Sequence, residues 1–146
     1  MSEVNAGLDK VKISIRARQE APDGHVENLH HRMKGRYFFK GGKHYLRYED
    51  KYLDGESRVP TTIKVSDEEL VILRHGAAKT EQRFVPRQET RSDYHTPYGV
   101  MELVMRTERL QSCFAESSGC AKVAYHLTAN GSPVGNYEIE IKVEAD

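Results

Sequence analysis

The run YFFKGGKHYLRY, residues 37–48, sets two adjacent glycines among aromatic and basic side chains. Such a pair either cradles a phosphate or reverses the chain. A phosphate-cradling glycine loop presents its backbone N–H groups at the start of a helix. Here the chain leaves Gly41 and Gly42 as Lys43, His44, Tyr45, Leu46, Arg47, Tyr48, which alternates and carries no helical period. Gly-Gly suits a two-residue β-hairpin turn, because residues with φ > 0 match the twist of the flanking strands. Counting outward from a Lys40–Lys43 pair sets Phe39 against His44, Tyr37 against Leu46 and Gly35 against Tyr48 on one face. Phe38 then meets Tyr45, and Arg36 meets Arg47, on the other face. The first face is mostly apolar, so both strands agree on which side is core. Gly35 beneath Tyr48 fits a sharply bent sheet in which an aromatic ring covers the missing side chain, as closed barrels require.

Period-two alternation extends this reading along the chain. Val11, Ile13, Ile15 and Ala17 face one way, and Lys12, Ser14, Arg16 and Arg18 the other. After the turn at Ala21-Pro22-Asp23-Gly24, the odd positions from Leu29 to Phe39 alternate with the even ones from Asn28 to Phe38. The pattern returns at Val59 to Val65, Met101 to Met105, Ala121 to Leu127 and Ile139 to Val143. Turn chemistry separates most of these runs, at Asp54-Gly55, Gly76, Pro86, Thr96-Pro97-Tyr98-Gly99, Ser118-Gly119 and Asn130-Gly131-Ser132-Pro133. Ser66-Asp67-Glu68-Glu69 has the spacing of a helix capping box. Strand is nonetheless expected for the following Leu70 to Leu73, because Val71 and Ile72 are β-branched and Gly76 would stop a helix early. Roughly ten short strands without βαβ alternation predict an all-β antiparallel sandwich or barrel with little helix.

The 146 residues are the size of one domain, expected to span 1–146 with residues 1–8 as a flexible N-terminus. The 22 Lys and Arg balance the 22 Asp and Glu, so no global field draws the protein onto nucleic acid or an anionic membrane. The first residues lack an apolar signal region and no apolar stretch is long enough to span a bilayer, which predicts a cytoplasmic protein with no membrane partner. Cys113 and Cys120 flank the turn-like Glu116-Ser117-Ser118-Gly119, so a hairpin could bring them close. Reduced thiols are expected in that compartment.

This hairpin, together with Arg74-His75-Gly76 and YHTPYGVMELVMRT (residues 94–107), resembles the YwiB-like family of small bacterial proteins. Gly35-x-Tyr37, Tyr45-Leu46-x-Tyr48-Glu49, Arg74-x-Gly76 and Thr96-Pro97-Tyr98-Gly99 carry the likeness, in that order along the chain. The resemblance implies a closed antiparallel barrel of the lipocalin-like, or calycin, type, with about eight to ten strands and an interior cavity. It also implies a cytoplasmic location, and it brings no activity, cofactor or catalytic residue with it.

Arg74 falls on the Leu70, Ile72, Arg74 side of its strand. A guanidinium inside a barrel either pairs with an acid, sits at the open mouth, or neutralises a ligand's charge. Tyr37, Tyr48, Tyr94, Thr96 and Tyr98 would supply hydroxyls to the same cavity, or else be core residues with satisfied tips. The seven histidines show no H-x-x-x-H or C-x-x-C grouping, so no metal is expected. Asp50-x-x-x-Asp54-Gly55 lacks the further ligands of an EF-hand loop. Neither cysteine sits on the sharp turn with a histidine in reach that nucleophilic catalysis needs, which argues against an enzyme.

A second reading uses the outer face. Arg32, Lys34, Arg36, Lys40, Lys43 and Arg47 interleave with Phe38 and Tyr45, the mixture of cations and aromatics that single-stranded nucleic acids bind. KGRYFFKGG fails the RRM signature at Arg36 and Tyr37, and the chain lacks that fold's two helices. The expectation is a barrel that binds a small, anionic or amphipathic molecule inside and has no cofactor, with nucleic-acid binding on the basic outer face as the runner-up.

Overall fold

The computed structural model describes residues 10–51, 58–76, 79–115 and 118–146. The expected flexible N-terminus and the Asp54-Gly55 turn lie outside the described residues. Ten strands follow one another: β1 Lys10–Glu20, β2 Val26–Lys40, β3 Lys43–Lys51, β4 Arg58–Val65, β5 Leu70–His75, β6 Lys79–Phe84, β7 Glu89–Thr96, β8 Gly99–Phe114, β9 Ser118–Ala129 and β10 Ser132–Ala145. The described residues contain no helix, hence none long and apolar enough to cross a membrane.

The opening hairpin has the predicted register. Lys40 pairs with Lys43, Phe39 with His44, Phe38 with Tyr45, Tyr37 with Leu46 and Arg36 with Arg47. Gly41 and Gly42 take φ of 61° and 79°, the doubly left-handed turn that the strand twist selects. At the other helix-or-strand choice, Ser66 does accept the amides of Glu68 and Glu69, each at 3.3 Å, as a capping residue would. Its own N–H donates to the Glu69 carbonyl at 3.0 Å, which closes a tight turn, and the β-branched run that follows becomes β5.

All pairings are antiparallel, in the order β6-β5-β4-β3-β2-β1-β10-β9-β8-β7. Neighbours in the sheet are therefore neighbours in sequence, except that β1 joins β10. The two edge strands, β6 and β7, are consecutive, and the turn at 85–88 brings them together. The Thr90 hydroxyl donates to the Arg83 carbonyl across this seam. The turn is held to β8 by Arg87 N–H on the Thr107 carbonyl, 2.8 Å, and Thr107 N–H on the Gln88 carbonyl, 3.2 Å. The result is a nearly closed barrel, the all-β antiparallel architecture expected.

Inward positions from every strand but β7 meet in one core that includes Val11, Ile13, Tyr37, Leu46, Ile63, Val65, Leu70, Phe84, Met105, Val123 and Ile141. Two departures from simple alternation matter. In β8 the register slips between Thr107 and Arg109, so inward parity changes from Met105 and Thr107 to Leu110 and Phe114. In β2, Leu29 and His31 have inward parity yet are exposed. The β2–β3 ladder stops at Arg36–Arg47, and from Val26 to Gly35 β2 pairs with β1 alone.

Candidate functional site

One level of the barrel interior is polar. Tyr48, Thr61, Arg74 and Thr80 stand directly opposite one another across β3, β4, β5 and β6. On the facing wall, Thr107, Tyr125, Tyr137, Gln19 and Glu27 form the corresponding row across β8, β9, β10, β1 and β2. The two rows meet at Arg74, whose charge acts on the hydroxyls of both Tyr48 and Tyr125. Tyr125 is fixed by packing, with its ring 4.5 Å from that of Phe84 and stacked 5.1 Å from that of Tyr137.

The electrostatics of this layer are simple. Burial pushes the Tyr48 hydroxyl up to about 12 against the opposing pull of Arg74, with Asp50 adding to the rise. Burial and the neighbouring Tyr137 push Tyr125 well above the ordinary phenol value, again against Arg74. Tyr137 is raised by burial first and then by Glu27. All three phenols are therefore neutral at physiological pH, able to donate and to accept. The half-buried Arg74 donates to Gln82 Oε1 at 3.2 Å, a neutral partner, and forms no ion pair among the described residues. On the facing wall, Thr107 is 1% exposed and its buried hydroxyl has no hydrogen-bond partner among the described residues.

Of the side chains singled out from sequence, Arg74 and Tyr48 come together here. Tyr37 does not: it lies at a different level, its hydroxyl 2.7 Å from His44 Nδ1, within an aromatic stack that includes Phe114. Tyr94 has inward parity on β7 but stays 38% exposed. Thr96 and Tyr98 build the β7–β8 turn. The Thr96 hydroxyl donates to the Gly99 carbonyl at 2.7 Å and accepts the Tyr98 N–H at 3.2 Å, while the Tyr98 side chain points into solvent. Sequence reasoning missed Gln82, Thr107, Tyr125 and Tyr137. Alternation alone marks Tyr125 as inward, but only closure through β1 and β10 places it opposite Arg74.

Arg32, Lys34, Arg36 and Phe38 project from the outward face of β2, with Tyr45 and Arg47 beside them on β3. Phe38 and Tyr45 stack on each other, 4.6 Å between centroids and 7° between planes. Arg47 lies over the Phe38 ring at 5.2 Å and Lys64 over the Tyr45 ring at 5.8 Å. Ring faces that would receive bases are thus already in contact with a partner ring and a cation. Among the described residues, no three His, Cys, Asp or Glu side chains are placed to share a metal ion. Concavities of about 580, 730 and 830 Å3 lie on outward faces of the sheet.

Residues 13–141 match a family described as a domain of unknown function, DUF1934. The uncharacterised β-barrel protein YwiB of Bacillus subtilis (strain 168) is 36% identical over 105 residues, 72% of each chain. The crystal structure of the YwiB protein from Bacillus subtilis superposes with a TM-score of 0.84 at 30% identity, covering 94% of this chain and 92% of that one. The resemblance drawn from the hairpin and the Arg74 motif is borne out: the chain belongs to the DUF1934 family.

Proposed function

We propose that this barrel binds a small anionic molecule at its polar interior layer, as a cytoplasmic, single-domain, non-catalytic carrier, sensor or accessory protein. Arg74 carries the reading. A guanidinium facing the lumen is retained against its desolvation penalty when something compensates it, and here the described partner is a neutral amide. The hydroxyls of Tyr48 and Tyr125, both close enough for the charge of Arg74 to act on them and both neutral, would offer a carboxylate or phosphate held there donors with no competing negative charge. Arg74 is half-buried and so retains some exposure through which a ligand could approach it.

The test begins with native mass spectrometry of freshly purified protein, looking for a bound small molecule. A fluorescent amphipathic anion, anilinonaphthalene sulfonate, is then titrated into the parent and Arg74→Met. Saturable binding that is lost in a still-folded Arg74→Met is the expected result. Binding that Arg74→Met leaves unchanged would overturn the proposal. Labelled single-stranded oligonucleotides, titrated at low and moderate salt, address the outer face. Salt-sensitive binding abolished by Arg36→Glu with Arg47→Glu would replace the carrier reading with the nucleic-acid one.

A further inference from the structure

The β8–β9 hairpin sets Cys113 directly opposite Cys120. Both side chains point outward, since the flanking Phe114 and Ala121 belong to the core side. Directly opposed residues of an antiparallel ladder have Cα atoms about 4.5 or 5.5 Å apart. Either spacing falls within the roughly 4.4–6.8 Å that a disulfide bridges, so the pair is within reach of a disulfide once the side chains close on each other. Both cysteines are free thiols, Cys113 exposed and Cys120 half-buried.

Their surroundings are not neutral. The two thiols end a row that crosses the outer face of five strands, Arg32, Ser14, Lys142, Cys120, Cys113. That row runs through the cleft of about 830 Å3, which Lys12 and Lys34 also line. Four cations therefore face one lining carboxylate, Glu144, and Lys34 has a second acid, Asp146, at 3.8 Å. The chain as a whole is charge-balanced, so this excess is local. Positive charge gathered in a cleft raises the local concentration of anions and the rate at which they arrive.

We propose that the cleft is a dithiol site for an anionic low-molecular-weight disulfide, of the class formed by small acidic thiols. Cys113, the more accessible, loses its proton to solvent and attacks one sulfur of the reagent, forming a mixed disulfide and expelling one reagent thiolate. Cys120, deprotonated in turn, attacks the Cys113 sulfur, forming the Cys113–Cys120 bond and expelling nothing but the second reagent thiolate. One external disulfide is reduced to two thiols, and two protein thiols are oxidised to one disulfide. The site lies on the opposite side of the sheet from Arg74, so it stands or falls independently of the binding reading.

The experiment exposes the fully reduced, folded protein to oxidised glutathione, quenches by alkylation, and follows intact mass. The parent is expected to pass through a single glutathione adduct to a species lacking two hydrogens and carrying no alkylatable thiol. Cys120→Ser should accumulate the adduct on Cys113, because nothing resolves it. Lys142→Glu with Arg32→Glu should slow the reaction about 10-fold while leaving the rate with the neutral bis(2-hydroxyethyl) disulfide unchanged. Lys142→Gln, which removes charge without adding an acid, should fall between. Far-UV circular dichroism confirms that each variant is folded. Thiols that stay free in the folded parent under excess oxidised glutathione, or an adduct on the parent that never resolves, would overturn the dithiol site. An equal effect of charge reversal on both reagents would overturn the role given to the cleft.

Discussion

Gly35→Ala tests the fork on which the barrel is built. A Cβ added at Gly35 would lie 2.5 Å from the Arg47 carbonyl oxygen, 2.6 Å from Ile13 Cδ1 and 3.2 Å from Tyr48 Cβ. The carbonyl cannot yield alone, because Arg47 is paired with Arg36 on one side and Thr62 on the other. Ile13 is 1% exposed, so its side chain can shift only by repacking its core neighbours. Overpacking of this kind costs about 1–3 kcal/mol, and a backbone obstruction belongs at the upper end, about 3 kcal/mol. The loss of unfolded-state freedom on replacing glycine returns about 0.4–1 kcal/mol, leaving a net destabilisation of about 2 kcal/mol. For a domain of this size that lowers Tm by about 4–8 °C. Gly41 is the control: nothing lies within 4 Å of its added Cβ, and its glycine serves only a φ of 61°. Gly41→Asn, which tolerates that conformation, should stay within about 0.5 kcal/mol of the parent. Urea denaturation followed by far-UV circular dichroism measures all three proteins. A Gly35→Ala as stable as the parent, or a Gly41→Asn more damaging than Gly35→Ala, would refute the assignment of one glycine to space and the other to backbone angle.

Two further outcomes follow from the interior. Burial lowers the pKa of His44, with Asp67 opposing, so the unfolded chain binds its proton at higher pH than the folded one. The stability this residue contributes is complete above about pH 6.5 and is lost as pH falls through the lower folded value. Parent urea midpoints should therefore decline more steeply than those of His44→Phe below about pH 6.5, and parallel curves would sink the assignment. Thr107→Val removes a buried hydroxyl that has no partner among the described residues, so its stability should match or exceed the parent's by up to about 1 kcal/mol. A loss of more than that in thermal melts would mean that the hydroxyl is satisfied in the folded protein.

How much of this was legible in the sequence depends on what kind of information each feature needs. The Gly41-Gly42 hairpin could be read to the residue, because a two-residue turn pins register and the apolar side of each strand confirms it independently. Strands β6 and β7, KTEQRF and ETRSDYHT, carried too few apolar residues to announce themselves. The extra residue at Glu108 reversed the parity of β8 midway, so alternation ended there though the strand did not. Parity also says which side a residue faces and nothing about its height along the barrel. Arg74 and Tyr48 lie on one level, but Tyr37 shares their parity and sits at another level, beside His44. Thr96 and Tyr98 looked like cavity hydroxyls and are turn chemistry. The row Thr107, Tyr125, Tyr137 could not be set opposite Arg74 until the β1–β10 pairing closed the circle.

Stability alone accounts for Gly35, where any larger side chain meets fixed backbone. It does not account for Arg74 or Thr107. At an inward position, a methionine in place of the guanidinium and a valine in place of the hydroxyl would keep the volume and shed the desolvation penalty, and substitutions of that kind are often neutral or stabilising. A fold shaped only to persist has no reason to keep a cation whose described partner is neutral and a buried hydroxyl with no partner among the described residues. Yet both occur on one level of the lumen, with Arg74 acting on the Tyr125 hydroxyl and Thr107 directly opposite Tyr125 in the sheet. That these two groups, neither fully compensated among the described residues, share one level of the lumen is what supports the proposal that a small molecule binds there.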